Sequence, residues 1–177
     1  MSSIVDNIVQ AVAAKFRAQG NNVKVTQLTS DWGLAESNFQ ELLNGSIFLG
    51  LNEFQQSFGN RMLFAHKADP GEPFANLEVA GTWKWTTLSI ESLLVKDDEP
   101  FSKQEHSELI AQTQLHMGQN VVAFKLWRPI PHLALEFSDG SVFVIHGNTG
   151  EYESWNFETS RDTIGVYAVS GGPIAVG

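Results

Sequence analysis

Along the first twenty residues, apolar positions recur at three- and four-residue spacings. Ile4, Val5, Ile8, Val9, Val12 and Phe16 fall on one face of a helix. Ser3 with Asp6 three positions later marks its start, and Gly20-Asn21-Asn22 marks its end. Shorter helical segments are predicted over Val25–Trp32, Glu36–Leu43 and Leu51–Phe58. The stretch from Lys67 to Pro73 then breaks the pattern, because two prolines and a glycine oppose both continuous helix and central strand. Beyond it the period shortens to two. Trp83, Trp85 and Thr87 alternate with Lys84 and Thr86, and Ile90–Val95 is a second short run. A helix over Ser102–Ile110 is predicted from Ser102 and Glu105. Further short runs follow at 120–127, 132–137, 142–146, 152–157, 163–169 and 174–176, separated by Gly, Pro, Asn and Asp.

One hairpin can be written in register. Asp139-Gly140 lies between two alternating runs, and a two-residue turn pairs Phe137 with Val142, Leu135 with Val144 and Leu133 with His146. One face then carries Leu133, Leu135, Phe137, Val142 and Val144. The other carries Ala134, Glu136, Phe143 and Ile145, and its apolar character calls for cover. The fold expected is α+β: a bundle of short N-terminal helices packed on an antiparallel sheet of about six strands. The division expected is a helical part, 1–66, and a β part, 74–177, folding as one cooperative unit.

Composition narrows the function classes. The 177 residues are 42% apolar and 18% charged, too apolar for a disordered chain. The absence of cysteine removes thiol nucleophiles, disulfides, Cys-ligated zinc and iron–sulfur clusters, and it fits a reducing cytoplasm. The N-terminus has no signal-peptide pattern, and no apolar run reaches the roughly 18 residues of a membrane helix. The net charge of -9 is uneven. Up to Met62 the bases Lys15, Arg17, Lys24 and Arg61 face Asp6, Asp31, Glu36, Glu41 and Glu53, a net of -1, which leaves -8 in the remainder. Such a charge opposes nucleic acid and anionic lipid and favours a basic partner.

Residues 25–45 carry one motif with a mechanism. Gly33 stands at a turn position, Leu28, Leu34, Phe39 and Leu42 at interhelical apolar positions, and Leu43-Asn44-Gly45 at a helix exit. The segment resembles the helix-turn-helix of the lambda-repressor and Cro class. The resemblance implies a DNA-binding regulator with Ser37, Asn38 and Gln40 reading base edges. The same helix departs from that class. Thr29 stands where a small residue, usually Ala, is found. Glu36 and Glu41 face the phosphates, with no Lys or Arg to anchor them.

No catalytic residue emerges. The histidines His66, His106, His116, His132 and His146 show no local metal-binding spacing. His132 and His146 meet at the open end of the hairpin, with Glu136 four residues along from His132, but no third ligand can be placed, so neither a metal nor another cofactor is expected. Glu105-His106-Ser107-Glu108 points its groups in different directions on a helix. The loops Gly147–Gly150 and Gly171–Pro173 read as turns rather than phosphate cradles. Trp83, Trp85, Trp127 and Trp155 concentrate in the β part, as core, as a protein interface, or as the lining of a pocket in a small-ligand binder or enzyme. The densest acidic and aromatic neighbourhood is Glu151, Glu153 and Glu158 around Trp155, with Glu136 and Asp139 in the adjoining hairpin. Residues 121–157 resemble small β proteins found among bacterial toxin-immunity families. The resemblance implies a cytoplasmic, non-catalytic protein that binds a basic protein through Glu136, Asp139, Glu151, Glu153 and Trp155.

Overall fold

The computed structural model describes residues 31–53, 60–102, 106–148, 153–160, 165–168 and 174–177. The expected helix of residues 4–16 and the segment 25–30 lie outside them. Asp31 caps helix α1, Trp32–Asn38, with its side chain accepting the Leu34 N–H at 2.9 Å. The helix widens into a π-helical turn, Phe39–Leu43. The strands that follow are β1 (Ile47–Glu53), β2 (Asn60–His66), β3 (Asp69–Val79) and β4 (Trp83–Thr86). Helix α2 (His106–Gln114) precedes β5 (Val121–Leu126), β6 (Leu133–Phe137), β7 (Val142–Ile145), β8 (Trp155–Thr159), β9 (Gly165–Ala168) and β10 (Ile174–Val176).

All strand pairs are antiparallel and form two sheets, ordered β1-β2-β3-β8-β9-β10 and β4-β7-β6-β5. The chain steps from one sheet to the other through residues 80–82, where the Ala80 and Gly81 N–H groups donate to the Ser154 carbonyl. A second seam joins β1 to the approach of β5, where the Phe48 N–H donates to the Gln119 carbonyl and the Val121 N–H to that of Ser46. Between the sheets lies one core: Phe48, Met62, Phe64, Leu77, Trp155 and Phe157 on one side, Leu133, Leu135, Phe137, Phe143 and Ile145 on the other. The π-helical turn plugs it. Phe39 is fully buried, with its ring centroid 5.3 to 5.7 Å from those of Phe124, Trp155 and Phe157.

This architecture corrects the expected N-terminal helix bundle. Residues 47–53 and 60–66 are strands, and the predicted helix Leu51–Phe58 begins inside β1. Cross-strand pairing of β1 with β2, itself paired with β3, overrides the local helical spacing there. Gly33 lies within α1 instead of at a left-handed turn, so the helix-turn-helix geometry is absent from 31–45. Pro70 and Pro73 do lie in a strand. They are in the part of β3 beyond its pairing with β8, which begins at Ala75, where β3 is paired through the irregular end of its ladder with β2 alone.

The β6–β7 hairpin forms one residue out of the expected register. Leu133 pairs with Ile145 and Leu135 with Phe143, and Phe137 donates its N–H to the Ser141 carbonyl. The turn therefore has three residues, Ser138-Asp139-Gly140, with Gly140 at φ 81°. A one-residue slip exchanges the faces of one strand. Phe143 and Ile145 thus join the central core, while Val142 and Val144 turn outward with Ala134. Their cover is a strap, residues 90–101, which lays Ile90, Leu93, Val95 and Phe101 over this second apolar face.

Candidate functional site

Strands β3 and β8 carry the same short pattern. Ala75-Asn76-Leu77-Glu78-Val79 and Trp155-Asn156-Phe157-Glu158-Thr159 each place Asn and Glu on one face with an apolar residue between them. Antiparallel pairing sets Asn76 opposite Glu158 and Glu78 opposite Asn156. Leu77 and Phe157 point into the core, and the four polar side chains form a quartet on the outer face of the six-stranded sheet. Adjacent strands extend each row: Arg61 beside Glu78 and Tyr167 beside Asn156, Leu63 beside Asn76 and Gly165 beside Glu158.

Acceptor atoms dominate this quartet. The Oδ1 atoms of Asn76 and Asn156 are shielded from solvent and have no partner among the described residues. Asn156 is only 9% exposed. Arg61 reaches Glu78 at 3.4 Å, a long contact between half-buried side chains. The Tyr167 hydroxyl donates to Glu158 at 3.3 Å. Gly165 makes that contact possible, since a Cβ there would lie 2.3 Å from the Tyr167 hydroxyl. Burial pushes the Glu158 carboxyl above the usual range, against the Tyr167 hydrogen bond and the Arg61 charge, and the nearby Glu78 and Glu153 add to the rise. Burial likewise raises the Tyr167 phenol.

For Glu158 the folded state holds its proton more tightly than the unfolded chain. Stability is therefore lost as pH rises from the ordinary glutamate range through the raised value. Glu158→Gln is expected to raise the melting temperature at pH 7, with a gain that shrinks toward pH 4. Thermal unfolding of both proteins across that range measures it.

A second polar cluster closes the end of the four-stranded sheet. His132 and His146 are fully buried, with ring centroids 4.4 Å apart. His132 Nδ1 accepts the Gly147 N–H at 2.8 Å, so its Nε2 carries the proton and donates to Asp97 at 3.1 Å. His146 Nε2 donates to the Lys96 carbonyl at 2.8 Å. Both rings thus pin the strap, which Lys125 also holds through the Ile90 carbonyl. Burial holds the His132 imidazole below the usual histidine range, although Asp97 acts in the other direction. The unfolded chain takes up that proton first, so stability present above pH 6.5 is lost as the pH falls below it. The melting temperature is expected to drop on acidification to pH 5, and His132→Gln to flatten that drop. Equal slopes in the two proteins contradict the assignment.

The third cluster sits at the hairpin turn. Asp139 accepts from Ser141 and pairs with His116 at 2.8 Å, and the His116 ring stacks on Trp85 at 4.0 Å. Burial alone would raise the Asp139 carboxyl, but the hydrogen bonds from Ser141 and His116 carry it below its ordinary value. Trp85 donates to Thr113 at 2.9 Å. These bonds tie α2 to the hairpin.

The residues expected to bind a partner do not share one surface. Trp155 is fully buried, with its indole N–H donating to the Pro131 carbonyl at 2.7 Å. Glu136 is half-buried on the strap side of β6, and Asp139 is at the turn. Glu153 is half-buried two residues ahead of β8, with its charge felt at Glu158 and Tyr167. Glu151 lies outside the described residues. Ser37 and Gln40 are exposed on the first helical segment and Asn38 is half-buried. Glu36 on that segment pairs with Arg128 at 2.7 Å. Trp83 and Trp85 share a face, as period two requires, and both pack on Phe143. No group of three or more histidines and carboxylates able to hold a metal occurs among the described residues. The quartet escaped the sequence reading, although the repeated Asn-x-Glu with an apolar centre is visible in it.

Comparison with protein-family models, with curated proteins and with solved structures finds no match to this chain.

Proposed function

We propose that this chain is a non-catalytic binding protein for a basic protein partner, an immunity- or inhibitor-type role in the cytoplasm. The partner docks on the outer face of the six-stranded sheet. The observation that carries this reading is the reciprocal Asn–Glu quartet. It concentrates two carboxylates and two amide oxygens without a partner among the described residues on adjacent strands, with Glu153 at its margin. The net charge of -9 supports it, because an acidic body speeds encounter with a basic protein and disfavours nucleic acid and anionic membrane. Among the described residues no helix is long and apolar enough to cross a membrane.

Capture experiments test the reading. Immobilised full-length protein is expected to retain proteins of basic isoelectric point from native lysate in a salt-sensitive manner. The double variant Glu78→Lys, Glu158→Lys should release them. The charge-matched control Glu41→Lys, Glu91→Lys, at exposed positions away from the quartet, should keep them. Equal retention by both double variants contradicts docking on this face.

A further inference from the structure

We infer that the strap, residues 90–101, is an acid-released cover: protonation of His132 lifts it from the four-stranded sheet and exposes the apolar face of Ala134, Val142 and Val144, while the central core stays folded. The device is independent of the proposed docking face, which belongs to the other sheet.

The strap covers a small core of its own. Ile90 and Leu93 are buried with Ala134, Val142 and Val144 in a cluster separate from the one between the sheets. Strands β6 and β7 also send Leu133, Leu135, Phe143 and Ile145 into the central core, so they keep their place when the outer face is uncovered. Local opening of this kind breaks one satellite cluster and leaves the rest of the fold.

The strap is held by side chains. Among the described residues no backbone-to-backbone bond joins it to the sheet, and the Ser92 N–H donates within the same loop, to the Ser89 carbonyl. At its ends Lys125 donates to the Ile90 carbonyl at 3.3 Å, and the Thr82 hydroxyl accepts the Phe101 N–H at 3.2 Å. At its middle the anchors are His132 to the Asp97 carboxylate, His146 to the Lys96 carbonyl, and the Asn148 amide to the Asp97 carbonyl at 3.1 Å. Two of these three are histidines, the side chain that changes charge near neutral pH.

A second proton on His132 has no acceptor. Its Nδ1 accepts the Gly147 N–H at 2.8 Å, so an imidazolium would set donor against donor. The charge would also sit in a fully buried ring, 4.4 Å from that of His146. His146 differs, because its Nδ1 lies 3.1 Å from the Asn148 carbonyl as well as 3.3 Å from the Asn148 N–H, and that carbonyl can accept an added proton. His132 is therefore the trigger. From the strap Asp97 favours its charged form, from the end of β7 His146 opposes it, and burial outweighs Asp97. The other charged groups nearby are engaged elsewhere: Lys84 of β4 lies over the Phe101 ring, Lys125 of β5 over the Trp127 ring, and Lys96 pairs with Glu99. Glu136 is half-buried on the strap side of β6. Opening admits water and removes the clash of donors. The open strap thus binds the proton more tightly than the closed one, and opening grows as the pH falls below 6.5.

The test is a nuclear magnetic resonance titration of the full-length protein from about pH 7 to about pH 5, the range in which histidine changes charge. The methyl signals of Ile90, Leu93, Val142 and Val144 are expected to move together, with those of Leu77 and Leu135 unchanged. The opening constant should rise by up to about tenfold per pH unit, the slope of one proton taken up. The His132 ring should titrate in the same transition, and 8-anilinonaphthalene-1-sulfonate should gain fluorescence with it as the apolar face is uncovered. In His132→Gln the four methyl signals should stay fixed over this range. Where that variant fails to fold, the coincidence of ring and methyl transitions in the unsubstituted protein decides. Strap methyls that stay fixed throughout overturn the inference, as does titration of His132 with the strap still closed. Movement of Leu77 and Leu135 in the same transition also overturns it, because the event is then unfolding of the whole protein. An equal transition in folded His132→Gln removes His132 as the trigger.

Discussion

Trp155→Ala is expected to destabilise the protein by about 4 kcal/mol, in the range measured for removing a fully buried tryptophan. For a chain of this length that corresponds to a fall in melting temperature of roughly 8 to 16 °C. The reason is position. Trp155 lies on β8 in one sheet, its indole donates to the Pro131 carbonyl ahead of β6 in the other, and its ring packs on Phe39 in the π-helical turn. The substitution opens a cavity where three elements meet and leaves a buried carbonyl without its donor. Trp155→Phe should cost less, because most of the contact area survives and only the hydrogen bond goes. Chemical denaturation of both variants checks the order. A loss below about 1 kcal/mol for Trp155→Ala, the size of a typical surface substitution or less, would place the indole outside the core.

Gly147→Ala is expected to cost about 3 kcal/mol, the upper range for forcing a methyl group into a packed site. An added Cβ would lie 2.4 Å from the Pro131 carbonyl carbon, 2.5 Å from its oxygen and 2.7 Å from the His132 nitrogen. All three are backbone atoms, so no side chain can rotate away to make room. Relief requires separating the end of β7 from the 131–132 peptide. That movement breaks the bond from the Gly147 N–H to His132 and disturbs the Pro131 carbonyl that receives the Trp155 indole. Hydrogen exchange should show early opening of the strap in this variant, because both histidines that pin residues 96 and 97 sit at the displaced junction. Wild-type stability in Gly147→Ala would mean that the junction is looser than its geometry.

The second half of the chain was legible in sequence because its strands are short and bounded by turn residues, and β5–β6, β6–β7, β8–β9 and β9–β10 pair with near neighbours. The hairpin, the approach of His132 to His146 and the shared face of Trp83 and Trp85 all follow from local periodicity. The register failed at one point. Asp-Gly signals a two-residue turn, but Asp139 takes its hydrogen bonds from Ser141 and Gly140 closes a three-residue loop, a choice decided by side-chain bonding at the turn. The first half was misread for a different reason. Residues 47–53 and 60–66 are strands because they pair with each other and 60–66 pairs with β3, and apolar spacing within one segment contains no record of cross-strand pairing. The quartet joins residues about eighty positions apart. Its signal was the shared Asn-x-Glu pattern of β3 and β8, which gains meaning only once those strands are known to be neighbours.

Hydrogen exchange on the complex with a captured basic protein addresses the central claim most directly, because it reports which surface the partner covers. The account predicts slowed exchange in β2, β3, β8 and β9 around Arg61, Asn76, Asn156 and Tyr167, with the β6–β7 turn at Asp139 unchanged. Protection confined to that turn, or to the exposed face of the first helical segment at Ser37 and Gln40, would contradict it.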